Sequence, residues 1–217
     1  EVDRRRLVSR MHKLERELKE VERTRELQRH SRQRGRHREA TLVGYTNAGK
    51  STTLNALTDA GVPAENRLFV TLDPRTRQHQ LPGGETVLIT DTVGFISKLP
   101  HELVRAFQST LDSVRFADLL VHVVDGSSEQ AEEQIDAVRD VLAQIGAGEV
   151  PELLVFNKAD VDPSWTRELV LRHEGSLAIS ALSGEGVEEL VATIGDRLRS
   201  GDRIVALKIP ASRGDLI

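Results

Sequence analysis

Apolar residues recur along the chain with two different spacings. Near the start, Leu7, Met11, Leu14, Leu18 and Val21 follow one another at steps of four and three, which is one face of a helix. Lys13 with Glu17, and Arg16 with Glu20, stand at the separation that supports such a helix. Its narrow seam reads as a surface for a neighbouring helix or domain. The next stretch, "RHSRQRGRHRE", is almost free of apolar residues. From residue 40 short apolar runs take over: "ATLVGYT", "ETVLITDT", "DLLVHVVDG", "ELLVFNKAD" and "SLAISAL" each read as a buried strand that ends in polar or glycine residues. Helical stretches are expected between them, over 50–58, 101–116, 129–145, 163–173 and 185–199. Strand and helix in alternation predict an α/β fold with a mostly parallel sheet covered on both faces. Ligands then belong at the carboxyl ends of the strands.

Composition narrows the class. With 38% hydrophobic and 29% charged residues the chain fits neither a disordered nor a membrane-embedded protein. No run approaches the ~20 apolar residues of a spanning helix, and no apolar signal-peptide core opens the sequence. The absence of cysteine excludes disulfides, thiolate metal sites and a cysteine nucleophile, and fits a cytoplasmic setting. The 7 histidines are scattered without ligand spacing, which speaks against a zinc site. A length of 217 residues suits one main domain plus an appendage. The chain opens on Glu1 and stops at Ile217 in mid-pattern, as a piece of a longer protein would.

Charge is divided unevenly. Residues 1–38 hold 14 Lys and Arg against 7 Asp and Glu, a balance of +7, whereas the chain as a whole stands at −4. A basic arm on an acidic body points to a polyanionic partner, nucleic acid above all. Arg29, Arg32, Arg34, Arg36 and Arg38 have no aromatic residues among them, so they would grip phosphates and not base sequence. A plain solvated linker accounts for the same residues.

Three strand ends carry chemistry. The first strand runs into "GYTNAGKS", a complete G-x-x-x-x-G-K-S. Gly44 and Gly49 let the loop wrap closely, and the backbone N–H groups of Gly44, Tyr45, Thr46, Asn47, Ala48, Gly49, Lys50, Ser51 and Thr52 border the phosphates. Lys50 reaches the β/γ oxygens, and Ser51 is a ligand for Mg²⁺. The second strand end is "DTVG". Asp91 is placed to hold Mg²⁺ through water, Thr92 and Val93 follow, and the Gly94 N–H is placed to sense a γ-phosphate. The third is "NKAD": Asp160 accepts two hydrogen bonds from the N1–H and N2 amino edge of guanine, which adenine lacks. Asn157 supports base and loop, and the Lys158 stem stacks on the ring beside Ala159. Ser180, Ala181 and Leu182, in "ISALSGEGVEEL", are positioned to offer N–H groups to the base oxygen.

These elements, in this order, resemble the translation-factor-like GTPases across residues 40–199, and more closely the HflX family. "LVGYTNAGKST", "LFVTLDPRTR", "DTVGFI", "FNKAD" and "ISALSGEGVEEL" look like that family's own versions of the motifs, and an Arg-rich helical linker precedes its GTPase domain. The resemblance implies a Ras-like P-loop GTPase domain over 39–200, with the basic helix and linker as 1–38. It also implies that an N-terminal domain is missing and that 201–217 begins a truncated C-terminal domain. Thr71 would be the switch threonine that closes on Mg²⁺ and γ-phosphate, bordered by Phe69, Val70, Leu72 and Asp73. Lys50, Thr71 and Gly94 would carry catalysis. The partners implied are GTP and GDP and the large ribosomal subunit with its RNA, in ribosome splitting or rescue, for a monomeric protein.

One position departs from many nucleotide switches. Where a glutamine often aims the attacking water stands Phe95, which cannot hydrogen-bond to it. The resemblance implies that this is normal for the group. Asn47 is then a candidate to hold K⁺ beside the phosphates, or simply a loop residue that tolerates an unusual backbone. The alternative to a GTP hydrolase is a guanine-nucleotide-sensing scaffold with negligible turnover. An ATP-driven RNA remodeller is disfavoured by Asp160.

Overall fold

The computed structural model describes residues 37–58, 75–92, 94–95 and 108–200. Residues 1–36 of the basic arm, Phe69, Val70, Thr71, Leu72 and Asp73, Val93, the first half of the helix expected over 101–116, and 201–217 lie outside the described residues, whereas Arg38 opens the first strand.

In β1 (Arg38–Val43) alternate residues face opposite ways, and both faces meet apolar partners. Ala40 and Leu42 enter one core cluster, Val43 another. The chain continues as α1 (Lys50–Thr58), β2 (Arg75–Gln80), β3 (Thr86–Asp91), α2 (Gln108–Arg115), β4 (Leu119–Asp125) and α3 (Ala131–Gln144). It ends in β5 (Glu152–Asn157), α4 (Pro163–Arg172), β6 (Leu177–Ala178) and α5 (Val187–Arg199). The strands form one six-stranded sheet in the order β2-β3-β1-β4-β5-β6. All neighbours are parallel except β2 and β3, which are antiparallel.

Helices cover both faces, as the alternation predicts. On one face Leu54 and Leu57 of α1 and Leu190, Ile194 and Leu198 of α5 pack on Leu42, Ile89, Val121 and Val155. On the other, Val114 of α2 and Val138, Val141 and Leu142 of α3 lie against Val43 and Leu120, while Leu169 of α4 meets Val124 and Phe156. Burying each such side chain is worth about 1.5–3 kcal/mol against the chain entropy. β4, "LLVHVVD", is buried along nearly its whole length, which explains its almost unbroken apolar run.

The exception in that run is His122. Burial pushes its imidazole pKa down, so the neutral ring donates from Nδ1 to Glu152 Oε1 at 2.6 Å. Arg139 of α3 donates to the same carboxylate at 2.8 Å. Burial acts to raise the Glu152 pKa, but the hydrogen bonds from His122 and Arg139 outweigh it and hold the group at about 2. This chain of contacts ties β4 to β5 and α3 through a satisfied buried polar group.

β2 is the element that apolar spacing does not reveal. Its sequence, "RTRQHQ", has no apolar residue, and it lies at the sheet edge with most side chains exposed. Pairing with β3 holds it in place, helped by a Thr76–Thr90 hydroxyl contact of 3.0 Å. At the other end of the chain, "SLAISAL" yields only the short β6.

β1 pairs with β3 on one side and β4 on the other. The strand order reverses there, so a crevice opens beyond the carboxyl end of β1, where open α/β sheets bind their ligands. A separate cavity of about 610 Å³ lies at the opposite end of the sheet, lined by Arg38, Thr86, Asp118 and Arg199, and none of the motif residues reach it.

Candidate nucleotide site

The loop after β1 is shaped by what its glycines leave out. Gly44 has φ +146°, and a Cβ there would stand 2.1 Å from the carbonyl oxygen of Val123. Gly49 has φ +97°, and its Cβ would stand 2.2 Å from Asn157 Nδ2. Any side chain at either position would force the loop off the strands beneath it. Asn47 is exposed at the crest with φ +61°, a left-handed conformation that asparagine tolerates. The helix then starts at once, with Thr53 N–H donating to Gly49 O at 2.8 Å.

Lys50 lies buried at the mouth of α1, with Nζ donating to Gly44 O at 3.1 Å and Tyr45 O at 2.9 Å. Burial brings its pKa from 10.5 down to about 8, against the opposing pull of the Asp91 carboxylate. Ser51 Oγ donates to Asp91 Oδ2 at 2.7 Å. A hydroxyl and a fully buried carboxylate thus meet beside the loop, and this pair of hard oxygen donors fits a small hard cation such as Mg²⁺.

Asp91 closes β3, and Thr92 Oγ1 donates back to Leu42 O at 2.7 Å, fastening the turn to β1. Gly94 passes so close to the loop that a Cβ would stand 2.8 Å from Thr46 Cγ2 and 3.1 Å from Lys50 Nζ. Phe95 answers the question raised by its place in the motif. Its side chain is 1% exposed and packs with Val43, Val114, Leu120 and Val138 in a cluster that Tyr45 of the loop also joins. Its backbone forms an isolated parallel bridge to Tyr45: Thr46 N–H donates to Phe95 O at 2.9 Å, and Phe95 N–H to Gly44 O at 3.1 Å.

The third motif is joined to the first by one side chain. Asn157, at the end of β5, donates from Nδ2 to Ala48 O at 2.9 Å and accepts at Oδ1 from Ala181 N–H at 2.9 Å. A single buried amide therefore links the phosphate loop, "NKAD" and the Ser180–Leu182 turn. Lys158 has φ +65°, and Ala159 N–H donates to Ile179 O at 3.0 Å. Asp160 is exposed at the rim. Ser180 is buried and its Oγ accepts from Ser183 N–H at 3.1 Å, whereas Leu182 is 83% exposed. Next to this turn Asp162 caps α4 by accepting from Trp165 N–H at 3.0 Å, with Pro163 at the first helical position. Trp165 packs at the helix start, as the Asp-Pro-x-Trp order suggests, and donates from Nε1 to Ser128 O at 3.0 Å.

The site thus brings together Gly44 to Thr52, Asp91, Thr92 and Gly94 at one end and Asn157 to Asp160 with Ser180 to Leu182 at the other. Sequence reasoning overlooked Asp125, whose Oδ2 accepts from Lys158 Nζ at 2.5 Å. The available signal was an acidic residue closing an apolar strand, and its register with Asn157 required the fold.

A sheet reversing at a glycine-rich phosphate loop, a strand-end aspartate beside that loop's serine, and a guanine-type "NKAD" define a P-loop GTPase fold. A family model described as the 50S ribosome-binding GTPase matches residues 39–158, and the chain belongs to that family. Within it the chain falls among the HflX GTPases. It is 45% identical to GTPase HflX of Lacrimispora saccharolytica over 200 residues, covering 92% of this chain and 47% of the relative. With GTPase HflX of Escherichia coli it shares 42% over 220 residues, covering 100% of this chain and 51% of the relative. The chain therefore spans about half the length of the curated relatives it matches. Solved structures share the fold. A GTP-binding protein from Sulfolobus solfataricus in complex with GDP superposes with a TM-score of 0.59 at 24% identity, over 82% of this chain and 58% of that one. The FeoB G-domain from Methanococcus jannaschii gives 0.57 at 24%, over 76% and 99%. Among the described residues no helix is long and apolar enough to cross a membrane.

Proposed function

We propose that this chain binds GTP and GDP, hydrolyses GTP with Mg²⁺, and acts on the large ribosomal subunit in splitting or rescue. The observation that supports this best is the double hydrogen bond of Asn157, which holds the phosphate loop and the base-reading loops as one site. In this reading Gly44 to Thr52 bind phosphates, and Ser51, Asp91 and Thr71 hold the metal. Asp160 and the Ser180–Leu182 turn read the base, while Lys50, Gly94 and Thr71 act on the reacting phosphate. Mg²⁺ supplies charge neutralisation between the β- and γ-phosphates when bound. Residues 39–200 form the GTPase domain, 1–38 a basic arm for ribosomal RNA, and 201–217 the start of a further domain. The protein works as a cytoplasmic monomer, and the family's description as 50S ribosome-binding supports the ribosomal role.

The burial of Phe95 favours a second reading, a nucleotide-sensing scaffold with negligible turnover, because no side chain at that position can aim water. In the first reading a partner supplies the missing electrostatics, with K⁺ held near Asn47 as a helper. Phosphate release, measured in KCl and NaCl with and without large subunits, separates the two. Slow release that rises by about 10³ or more with subunits supports the hydrolase. Release that stays at background in every condition supports the scaffold, and failure to bind GDP at all would remove both.

A further inference from the structure

The guanine-reading loop leans on a residue outside the motifs. Asp125 closes β4 and pairs in register with Asn157 at the end of β5. Its carboxylate is divided between two tasks. Oδ1 accepts from Ser127 N–H at 3.1 Å and from Ser127 Oγ at 2.6 Å, which folds the 125–128 turn on itself. Oδ2 accepts from Lys158 Nζ at 2.5 Å. Lys158 is held in a left-handed backbone conformation, φ +65°, which a β-carbon disfavours, so something must fix it there.

The same turn is fastened to the base loop at one further point and to the start of α4, which follows that loop, at two more. Gly126 N–H donates to Asn157 O at 2.7 Å, Thr166 Oγ1 donates to Gly126 O at 3.0 Å, and Trp165 Nε1 donates to Ser128 O at 3.0 Å. A Cβ on Gly126 would stand 2.9 Å from both Asn157 O and Thr166 Oγ1, so the two loops touch with no room between them. The β4–α3 turn is therefore a buttress for the loop that carries Lys158 and Asp160.

We propose that Asp125 is a positioning residue for guanine nucleotides: by anchoring the Lys158 ammonium it fixes the lysine stem as a flat apolar platform for the purine ring. This rests on the reading of "NKAD" as the base-binding loop. An anchored ammonium cannot swing toward the phosphates, and the four-carbon stem loses its rotamer freedom before the base arrives. The lysine side chain is 34% exposed and that of Asp125 21%, so the ion pair by itself adds little to stability. Its effect belongs to binding, through a stem already held in place.

The platform acts on the ring and not on its 2-amino group, which separates it from Asp160. In the full chain, Asp125→Ala should raise the Kd of a fluorescent GDP by roughly three- to tenfold, and by the same factor for a non-hydrolysable GTP analogue. The ratio of GDP to IDP affinity should not move, whereas Asp160→Asn should move it. Asp125→Asn keeps an acceptor for Ser127 and should fall between the wild type and the alanine variant. Lys158→Ala removes the platform itself and should cost at least as much as Asp125→Ala, and adding Asp125→Ala to Lys158→Ala should cost almost nothing more, because the anchor acts only through the lysine. Thermal unfolding without nucleotide shows that each variant is folded.

An alanine variant within twofold of wild type, or losses at Asp125 and Lys158 that multiply, would overturn the proposal while leaving the guanine reading intact. A changed GDP-to-IDP ratio in Asp125→Ala would overturn it too, by placing the residue in base reading itself. A wild-type chain that does not bind GDP would overturn the guanine reading and this proposal with it.

Discussion

The two ends of the site are built on opposite plans. At the proposed phosphate end the groups on offer are mostly backbone, the loop is fixed by the absence of side chains at Gly44 and Gly49, and its cation, Lys50, is buried. At the proposed base end the groups on offer are side chains on loops, with Asp160 exposed at the rim and the supporting contacts drawn from three different turns. The first plan suits a ligand feature with one shape and high charge, which any ring of N–H groups satisfies. The second suits discrimination between similar bases, which needs a specific pair of acceptors with a rigid frame behind them. Breaking the first should therefore abolish binding, and breaking the second should change its selectivity.

The largest effect expected is from Lys50→Ala. Removing the cation against which the loop is organised should take nucleotide binding below detection and turnover with it, for GDP and GTP alike, in equilibrium binding and phosphate release. Retained tight binding would show that the backbone alone suffices. Asp160→Asn comes next. The amide keeps one acceptor but sets its NH2 against the guanine 2-amino group, so GTP should weaken by about 2–4 kcal/mol while xanthine nucleotides, whose 2-oxo group meets an amide donor, are favoured. Unchanged GTP affinity would remove Asp160 from base reading.

Asn157→Ala tests whether the ends are coupled. It leaves the buried Ala48 O and Ala181 N–H without their partner, so unfolding should cost about 1–3 kcal/mol less, and affinities for GDP and for pyrophosphate should both fall. If pyrophosphate binding held while GDP binding fell, the amide would serve the base alone.

The smallest effect is pH dependence, and it belongs to the phosphate end. Lys50 in the nucleotide-free chain titrates at about 8, and bound phosphates would raise that value. Binding should therefore take up a proton above pH 8. Affinity should hold below that point and fall by up to about tenfold per pH unit above it, until the bound state also titrates. Calorimetry in buffers of different ionisation enthalpy reads the uptake directly. In folding the same depression acts the other way. Between about 8 and 10.5 the unfolded chain holds more protons, so this group's contribution favours the folded state increasingly as pH rises.

The phosphate end was the more legible in sequence, for the same physical reason. A loop defined by where side chains cannot be leaves fixed glycines at fixed spacing, and Gly44, Gly49, Lys50 and Ser51 could be read off directly. The strands around it were visible because β4 and β5 are buried on both faces and so carry unbroken apolar runs. Asp160 was legible as part of a contiguous tetrapeptide. Its frame was legible only in part: Asn157 reads as a support for base and loop, but Asp125 acts through contacts across strands that no local spacing encodes. β2 escaped because an exposed edge strand needs no apolar face, and its partner β3 supplies the order. Phe95 could be excluded as a water-positioning group from its chemistry alone. That its backbone would be zipped to Tyr45 required the fold.

The antiparallel β2–β3 pair also bears on how the chain folds. It is closed by the short turn from Leu81 to Glu85, where Leu81 N–H donates to Glu85 O and Gly84 N–H to Leu81 O, both at 2.8 Å. Every other pairing in the sheet is parallel and must wait for a helix-length crossover, with a larger loop-closure entropy to overcome. The hairpin is the one piece of sheet among the described residues that can assemble from neighbours in sequence, on the microsecond scale of isolated hairpins. Because β3 then pairs with β1, an early β2–β3 hairpin would offer a preformed edge on which the strand that precedes the phosphate loop can dock. Pulse-labelled hydrogen exchange should find the amides between Arg75 and Asp91 protected before those of β5, and the reverse order would place the nucleus at the base end of the sheet.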